Sequence, residues 1–408
     1  MRRNLTVLLA AFLGWMFDGL EMGLFPLIAV PALQQMQATL GAAADTHFVG
    51  NWIGIVTAAY LIGAALGGVI FGWLGDRVGR VRAMSLSILC YSLFTGATYF
   101  ARTPEQLTLA RFFAALGMGG EWALGVALVM EVWPERLRPM LSGVIGTAAN
   151  LGIALMGLIG LRYSVTQASW RWVALVGAAP AVLTFLILRF VPESGRWESL
   201  SKKDHAHLIR DVFSPGLIGR TLLASAFCGI MLVGTWGSVQ WLPSWADQLT
   251  GGARPDAKAY TQILIGVGSA VGCMLSVGLG RSGRRGTYFI ICLCSLVSCS
   301  VLFRTVGSYG GVFLFWTFIV GASTGAFFGW APLYLPELFP TRVRATGQGF
   351  AYNAGRLIAA VGALQMSALM RQFDGSYARA GAVVTLVYGL GMILIWFAPE
   401  TKGQALPT

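Results

Sequence analysis

Five ionisable side chains stand inside long apolar stretches of this sequence: Asp18 and Glu21 in GWMFDGLEMG, Arg111 and Glu121 in RFFAALGMGGE, and Arg356 in FAYNAGR. Even a lenient insertion scale charges about 2.5–3.5 kcal/mol for each such group near the centre of a membrane helix, so residues of this kind are retained for a use. Carboxyl groups at that depth can take up and release protons. A guanidinium can hold an anion through two parallel N–H bonds. The three histidines, His47, His205 and His207, fall outside the apolar runs, which leaves proton exchange to the carboxylates. Asp18 and Glu21, three residues apart, share a helix face. Two arginines against three carboxylates leave one net negative charge when all are ionised, so the set invites one proton. A visiting anion would deepen that deficit, and by linkage protonation and anion binding then favour each other. Counting helical rise places Asp18 and Glu121 at similar depth, Glu21 nearer the outer surface, Arg111 near the outer mouth and Arg356 about midway. Beside Arg356, Tyr352 and Asn353 offer hydrogen bonds, as do Trp236 and Gln240 in TWGSVQWLP.

The elements that must carry these residues are membrane helices. Of 408 residues, 56% are hydrophobic and 11% charged, with 53 glycines and 14 tryptophans, and the mean hydropathy is +0.68. Stretches of about 20 apolar residues, enough to cross about 30 Å of hydrocarbon, predict twelve spans. In the first half they are Leu5–Val30, Phe48–Phe71, Ala83–Phe100, Leu107–Val132, Met140–Leu161 and Trp170–Phe190. In the second they are Leu217–Trp245, Tyr260–Gly280, Thr287–Phe303, Gly311–Leu335, Thr346–Met370 and Arg379–Phe397. The basic and apolar start of the chain has no clear small-residue cleavage site and is expected to be an uncleaved first helix. Pro26, Pro31, Pro243 and Pro332 predict kinks.

A formal charge of +12 suggests a polyanionic partner until the charges are placed. With the N-terminus inside, 19 of the 29 Lys and Arg residues fall on inner segments and 8 on outer ones. This is the orientation signal of a membrane protein, with both termini cytoplasmic, and it speaks against nucleic acid. The six cysteines lie in predicted helices without histidines at metal-ligand spacing, so no metal is expected. No nucleophile–base pair or phosphate loop is present either, so enzymatic chemistry is not expected. The expected organisation is a six-helix bundle over 1–190, a cytoplasmic linker over 191–216 and a second six-helix bundle over 217–408.

The two halves repeat one another. GWLGDRVGR (Gly72 to Arg80) followed by EVWPERLRPMLSG (Glu131 to Gly143) is echoed by SVGLGRSGRR (Ser276 to Arg285) followed by ELFPTRVRATGQG (Glu337 to Gly349). Arg77 matches Arg281; Glu131, Pro134, Arg138 and Gly143 match Glu337, Pro340, Arg344 and Gly349. Two six-span repeats with the same orientation must be related by an axis along the membrane normal, which places a cavity between them.

GWLGDRVGR after the second span, with its degenerate partner after the eighth, resembles the loop signature of the major facilitator superfamily. GMGGEWALG, EVWPERLRPMLSG, the WRW to RFVPES stretch and PELFPTRVRATGQGFAYNAGR resemble, within it, the metabolite:proton symporters and their sialate- and lactate-transporting relatives. The resemblance implies an all-α fold of two parallel six-helix bundles and a monomeric carrier in the bacterial inner membrane. It also implies alternating-access uptake of a small organic anion, such as a monocarboxylate or sugar acid, with a proton. The proton gradient would be the energy source and no cofactor would be needed. It assigns proton coupling to Asp18, Glu21, Arg111 and Glu121. By position it implies an inner gate of Asp76, Arg77 and Arg80, with Gly72 and Gly79 allowing close helix approach, supported by Glu131, Arg138, Glu337 and Arg344. Gly280 stands where the second copy should be acidic, which predicts an unequal gate held mostly by the first half. A sugar porter or neutral-solute carrier remains an alternative through PLYLPELFPTRVRATGQG, although a mid-membrane Arg356 argues against it. A drug exporter is a further alternative, although TAANLGIALMG lacks the glycine-proline ending of the antiporter signature.

Overall fold

The computed structural model describes residues 2–41, 47–133, 137–193, 211–279, 283–340, 343–404 and 407. Its helices, in order, are α1 (Arg2–Thr39), α2 (Phe48–Val78), α3 (Arg80–Ala97), α4 (Pro104–Val132), α5 (Arg138–Tyr163) and α6, split into Trp170–Val176 and Ala181–Phe190. The second set comprises α7 (Ile218–Gly237, continuing as Leu242–Leu249), α8 (Asp256–Leu279), α9 (Arg284–Thr305), α10 (Gly311–Tyr334), α11 (Arg344–Gln372) and α12, split into Tyr377–Val384 and Val387–Leu394. Ten of these twelve rods are long and apolar enough to cross a membrane by composition alone. The other two, α4 and α11, have 29 residues each, about 43 Å at the usual helical rise. Between them they carry three of the charges singled out above, Arg111 and Glu121 on α4 and Arg356 on α11. The chain is a multi-pass integral membrane protein.

Packing repeats with the sequence. In the first half α1 lies on α4 and α5, and α4 on α2 and α3; in the second, α7 lies on α11, and α10 on α8 and α9. The halves meet through α5 against α8 and α2 against α11, a symmetric pair of contacts. Two glycines show what allows the close crossings. A Cβ on Gly67 would overlap the Leu116 backbone of α4, and one on Gly272 would overlap the Ala322 backbone of α10. In lipid, where apolar side chains gain little by leaving hydrocarbon, such backbone contact supplies much of the helix–helix attraction.

The helices overrun their apolar cores. α1 extends nine residues past Val30 because Leu33 and Met36 are still buried against the bundle. Pro26 and Pro31 lie inside α1 and Pro332 inside α10, while α7 is interrupted at Ser238 (φ −141°, ψ −55°) and restarts with Pro243 in the first turn of Leu242–Leu249. The expected linker is described only at 191–193 and 211–216.

Candidate functional site

Four helices of each half, α1, α2, α4 and α5 with α7, α8, α10 and α11, surround a central cavity of about 50 Å³. Its wall carries Trp15, Tyr60, Asn150, Trp236, Gln240, Ser269, Tyr352 and Arg356 among others. Trp236 and Gln240 flank the break of α7 at Ser238, Trp236 on its last turn and Gln240 in the 3-10 turn Val239–Trp241 that follows, and both line the chamber. The Trp236 ring lies 5.4 Å from that of Tyr60, so the two halves touch through an aromatic pair.

All five membrane-depth charges are enclosed: Asp18 1%, Glu21 0%, Arg111 1%, Glu121 2% and Arg356 5% exposed. Although Asp18 and Glu21 sit three residues apart, their surroundings differ. Glu21 forms an ion pair with Arg111 and accepts hydrogen bonds from Tyr60 Oη at 2.7 Å and Thr95 Oγ1 at 3.1 Å. The Arg111 guanidinium lies 4.8 Å from the Tyr60 ring centre and 5.5 Å from that of Phe25. In this group charge is balanced and both Glu21 oxygens have donors, while the buried Arg111 Nε has no partner among the described residues. Arg111 is walled in by Glu21 and Phe25 of α1 and Tyr60 of α2.

Asp18 faces a different set. Its electrostatic neighbours are Glu121, Glu21 and Arg356. Among the described residues, neither Oε1 nor Oε2 of Glu121, nor Oδ1 of Asp18, receives a hydrogen bond from an N–H or O–H group. Glu121 is pressed onto Gly14 of α1, one turn before Asp18, where any Cβ would strike its carboxyl. With Glu21 and Arg111 neutralising each other, the remaining trio of Asp18, Glu121 and Arg356 carries one net negative charge when ionised.

Arg356 reaches across from the second half. Its Nη1 donates to Ala64 O at 3.2 Å on α2, to Gly119 O at 3.5 Å on α4 and to Asn353 Oδ1 at 3.2 Å, and its guanidinium lies 4.8 Å from the Tyr352 ring. Asn353 therefore does not line the cavity as expected. It packs onto Gly68 and steadies Arg356 from behind. Tyr352 and Arg356 do line it.

At the end of the bundle that carries both termini, the side chains of Asp76, Arg77, Glu131, Arg138 and Arg344, and Gly280 entire, lie outside the described residues. Gly72 does not serve a close approach, since a Cβ there would meet nothing within 4 Å. Gly79 is needed for conformation: at φ 108°, ψ 152° it ends α2 and starts α3 in a region open essentially to glycine. Gly283 repeats it at φ 109°, ψ 158°. Both turns are capped by a distant carboxylate. Glu193 accepts from the backbone N–H of Arg80 (2.9 Å) and Val81 (3.2 Å). Glu400 accepts from Arg284 (2.8 Å) and Arg285 (3.1 Å). Partial burial pushes the Glu400 carboxyl up, but backbone N–H groups of Arg284, Arg285, Lys402 and Thr401 outweigh it and hold it below the usual carboxylate range. Glu337 binds Arg284 at 2.7 and 2.8 Å and accepts the Thr401 hydroxyl at 2.5 Å. Among the described residues the second half thus joins Arg284, Glu337, Thr401 and Glu400 in one network. Glu193 and Glu400 were missed, although FVPES (Phe190 to Ser194) and FAPET (Phe397 to Thr401) are one more repeat of the two halves.

Comparison with known proteins agrees with this architecture. A model described as Major Facilitator Superfamily matches residues 7–363. A probable 4-methylmuconolactone transporter of Cupriavidus pinatubonensis is 30% identical over 97% of this chain and 91% of its own length. A sialic acid transporter of Escherichia coli is 26% identical over 95% and 92%. A solved structure of the E. coli xylose transporter XylE, in a partially occluded inward-open conformation, superposes with a TM-score of 0.76 over 100% of both chains at 18% identity.

Proposed function

Because the chain belongs to the Major Facilitator Superfamily, a family of carriers and not enzymes, we propose that it imports a small organic anion together with a proton by alternating access. The observation that carries this reading is the juxtaposition at mid-membrane of Arg356, on the cavity wall, with the carboxyl groups of Asp18 and Glu121. Arg356 is the anchor for the anion's carboxylate. One proton between Asp18 and Glu121 relieves their mutual repulsion and gives the trio zero net charge, so that an anion enters without facing an uncompensated negative pair. Anion and proton then bind in support of each other, which is the thermodynamic content of symport. Glu21 and Arg111, already matched, act as a rigid brace between α1 and α4 beside this site.

The cavity of about 50 Å³ suits a few water molecules, whereas small-molecule sites usually enclose several hundred Å³. The halves must therefore part along α5–α8 or α2–α11 to admit cargo, a rigid-body motion about the central site. The relatives' names direct attention to solutes that bear a carboxylate, sialic acid among them. The charge distribution favours both termini in the cytoplasm of a bacterial inner membrane, and the enclosed site is complete in one chain.

Purified protein in proteoliposomes tests the reading with labelled sialic acid, lactate, benzoate and 4-methylmuconolactone. Accumulation above equilibrium under an inward proton gradient, abolished by a protonophore, is the expected result for at least one of them. Uptake that only equilibrates, whatever the gradient, would exclude symport.

A further inference from the structure

The hydroxyl of Tyr91 is a buried donor that the reading above does not use. Tyr91 is 0% exposed, in the middle of α3, and its Oη has no hydrogen-bond partner among the described residues. A buried phenol that no protein acceptor meets gives up hydrogen-bonding free energy it would have in solvent, so its retention asks for a reason. Its electrostatic neighbours are Glu121, Asp18, Glu21 and Tyr60. Of these, Glu121 has two carboxyl oxygens that no donor reaches. An orphaned donor therefore shares a buried spot with orphaned acceptors.

Helix geometry explains how they come together. α3 and α4 run antiparallel; the Tyr91 backbone faces Gly117, and Ser87 Oγ donates to Gly117 O at 2.5 Å. Helical side chains lean toward their own N-terminus. The phenol of Tyr91 therefore leans toward the level of Ser87, while Glu121, one turn past Gly117, leans back toward that same level from α4. Only glycine at 117 allows this approach, because a Cβ there would collide with the Tyr91 backbone.

We propose that Tyr91 is the positioning residue for proton release: its hydroxyl donates to Glu121 when the proton shared with Asp18 leaves. The step rests on the coupling role of the Asp18–Glu121 pair. In the protonated state the two carboxyls satisfy each other and the phenol waits; when the proton departs toward the cytoplasmic side, the O–H of Tyr91 replaces it as the donor to Glu121. No bond is made or broken at Tyr91, which keeps its own proton. The charged and titratable groups about the Asp18, Glu121 and Tyr91 cluster are Glu21 from α1, Tyr60 from α2 and Arg356 from α11, with Arg111 of α4 paired to Glu21. Arg111 and Tyr60 are engaged with Glu21 and Arg356 with the α2 and α4 carbonyls; Tyr91 Oη is a buried donor without a partner among the described residues that has Glu121 as an electrostatic neighbour.

Infrared difference titration of the purified full-length protein reads this without a substrate. The wild type should show a protonated-carboxyl band, lost in Glu121→Gln or Asp18→Asn, that titrates with pH. Tyr91→Phe keeps the ring and its packing but removes the donor to the ionised form, so the midpoint should move to higher pH by about one unit. The pH optimum of proton-driven uptake should move with it, while substrate exchange at equilibrium stays at the wild-type rate. Superimposed midpoints for Tyr91→Phe and wild type would overturn the role of Tyr91 and leave the coupling pair standing. Absence of any titrating band that depends on Glu121 or Asp18 would overturn the coupling pair, and this role with it.

Discussion

Replacing Glu21 by glutamine should destabilise the protein, whereas replacing Asp18 by asparagine should not, although the two carboxylates are three residues apart. Glu21 is fully buried against Arg111, which is 1% exposed. The amide can still accept from Tyr60 and Thr95, so the loss is one of charge: Arg111 remains as a cation without a counter-ion. A pair of charges about 4 Å apart is worth about 4 kcal/mol at an effective dielectric of about 20, and breaking a buried pair by removing one member costs about 3–5 kcal/mol. For a chain of this length that is a Tm loss on the order of 5 °C. Asp18→Asn removes a charge from beside Glu121 and supplies an N–H to a carboxylate that has no donor, so stability should hold within about 1 kcal/mol. Thermal unfolding in detergent measures both, and proteoliposomes add the functional contrast: Asp18→Asn should lose gradient-driven accumulation and keep exchange. Glu21→Gln with Arg111→Met, which removes both charges, should recover much of the lost Tm. A Glu21→Gln protein as stable as the wild type, or an Asp18→Asn protein that loses as much, would refute the division between brace and proton pair.

Arg356→Ala should weaken binding of a transported carboxylate by about 10–100-fold, the worth of a charge-assisted bidentate contact; Arg356→Lys should recover only part of it. Equal affinity of wild type and Arg356→Ala for the acid relative to its amide would remove Arg356 from the site. The Glu400 carboxyl is held below its ordinary range when folded, so its contribution is complete above the unfolded pKa, near 4.3, and fades as pH falls through the lower folded value. Wild type should therefore lose more Tm below about pH 4.5 than Glu400→Gln, which at neutral pH should already be about 1 kcal/mol less stable for want of a cap; parallel acid profiles would count against it. Gly79→Ala should cost about 1–3 kcal/mol, because φ 108° is strained for any Cβ, and an unchanged Tm would show that the turn relaxes.

Much of the fold was legible because lipid imposes a simple rule. A helix that crosses hydrocarbon must be apolar over about 20 residues, and all twelve expected spans correspond to helices, including α4 and α11 with their buried charges. The ends were harder to place, since Leu33 and Met36 extend α1 through packing that hydropathy does not register. Within the site, residue type and depth singled out the five buried charges. They did not reveal partners. Glu21 with Arg111, Asp18 with Glu121, and Asn353 turned behind Arg356 are distinctions of side-chain direction within one or two helical turns.

The amino-acid sequence alone determined the spans, the internal repeat and the set of intramembrane charges, because each of these follows from the cost of placing a residue in lipid and is therefore local. The tertiary structure decided which charge neutralises which. α1 offers Asp18 and Glu21 to α4 at successive levels, and only the packing of α2, α3 and α11 around them supplies Tyr60, Thr95, Tyr91 and Arg356. Electrostatic pairing falls off over a few ångströms, so it is fixed by helix register and rotation across the bundle, quantities that no single stretch of chain contains.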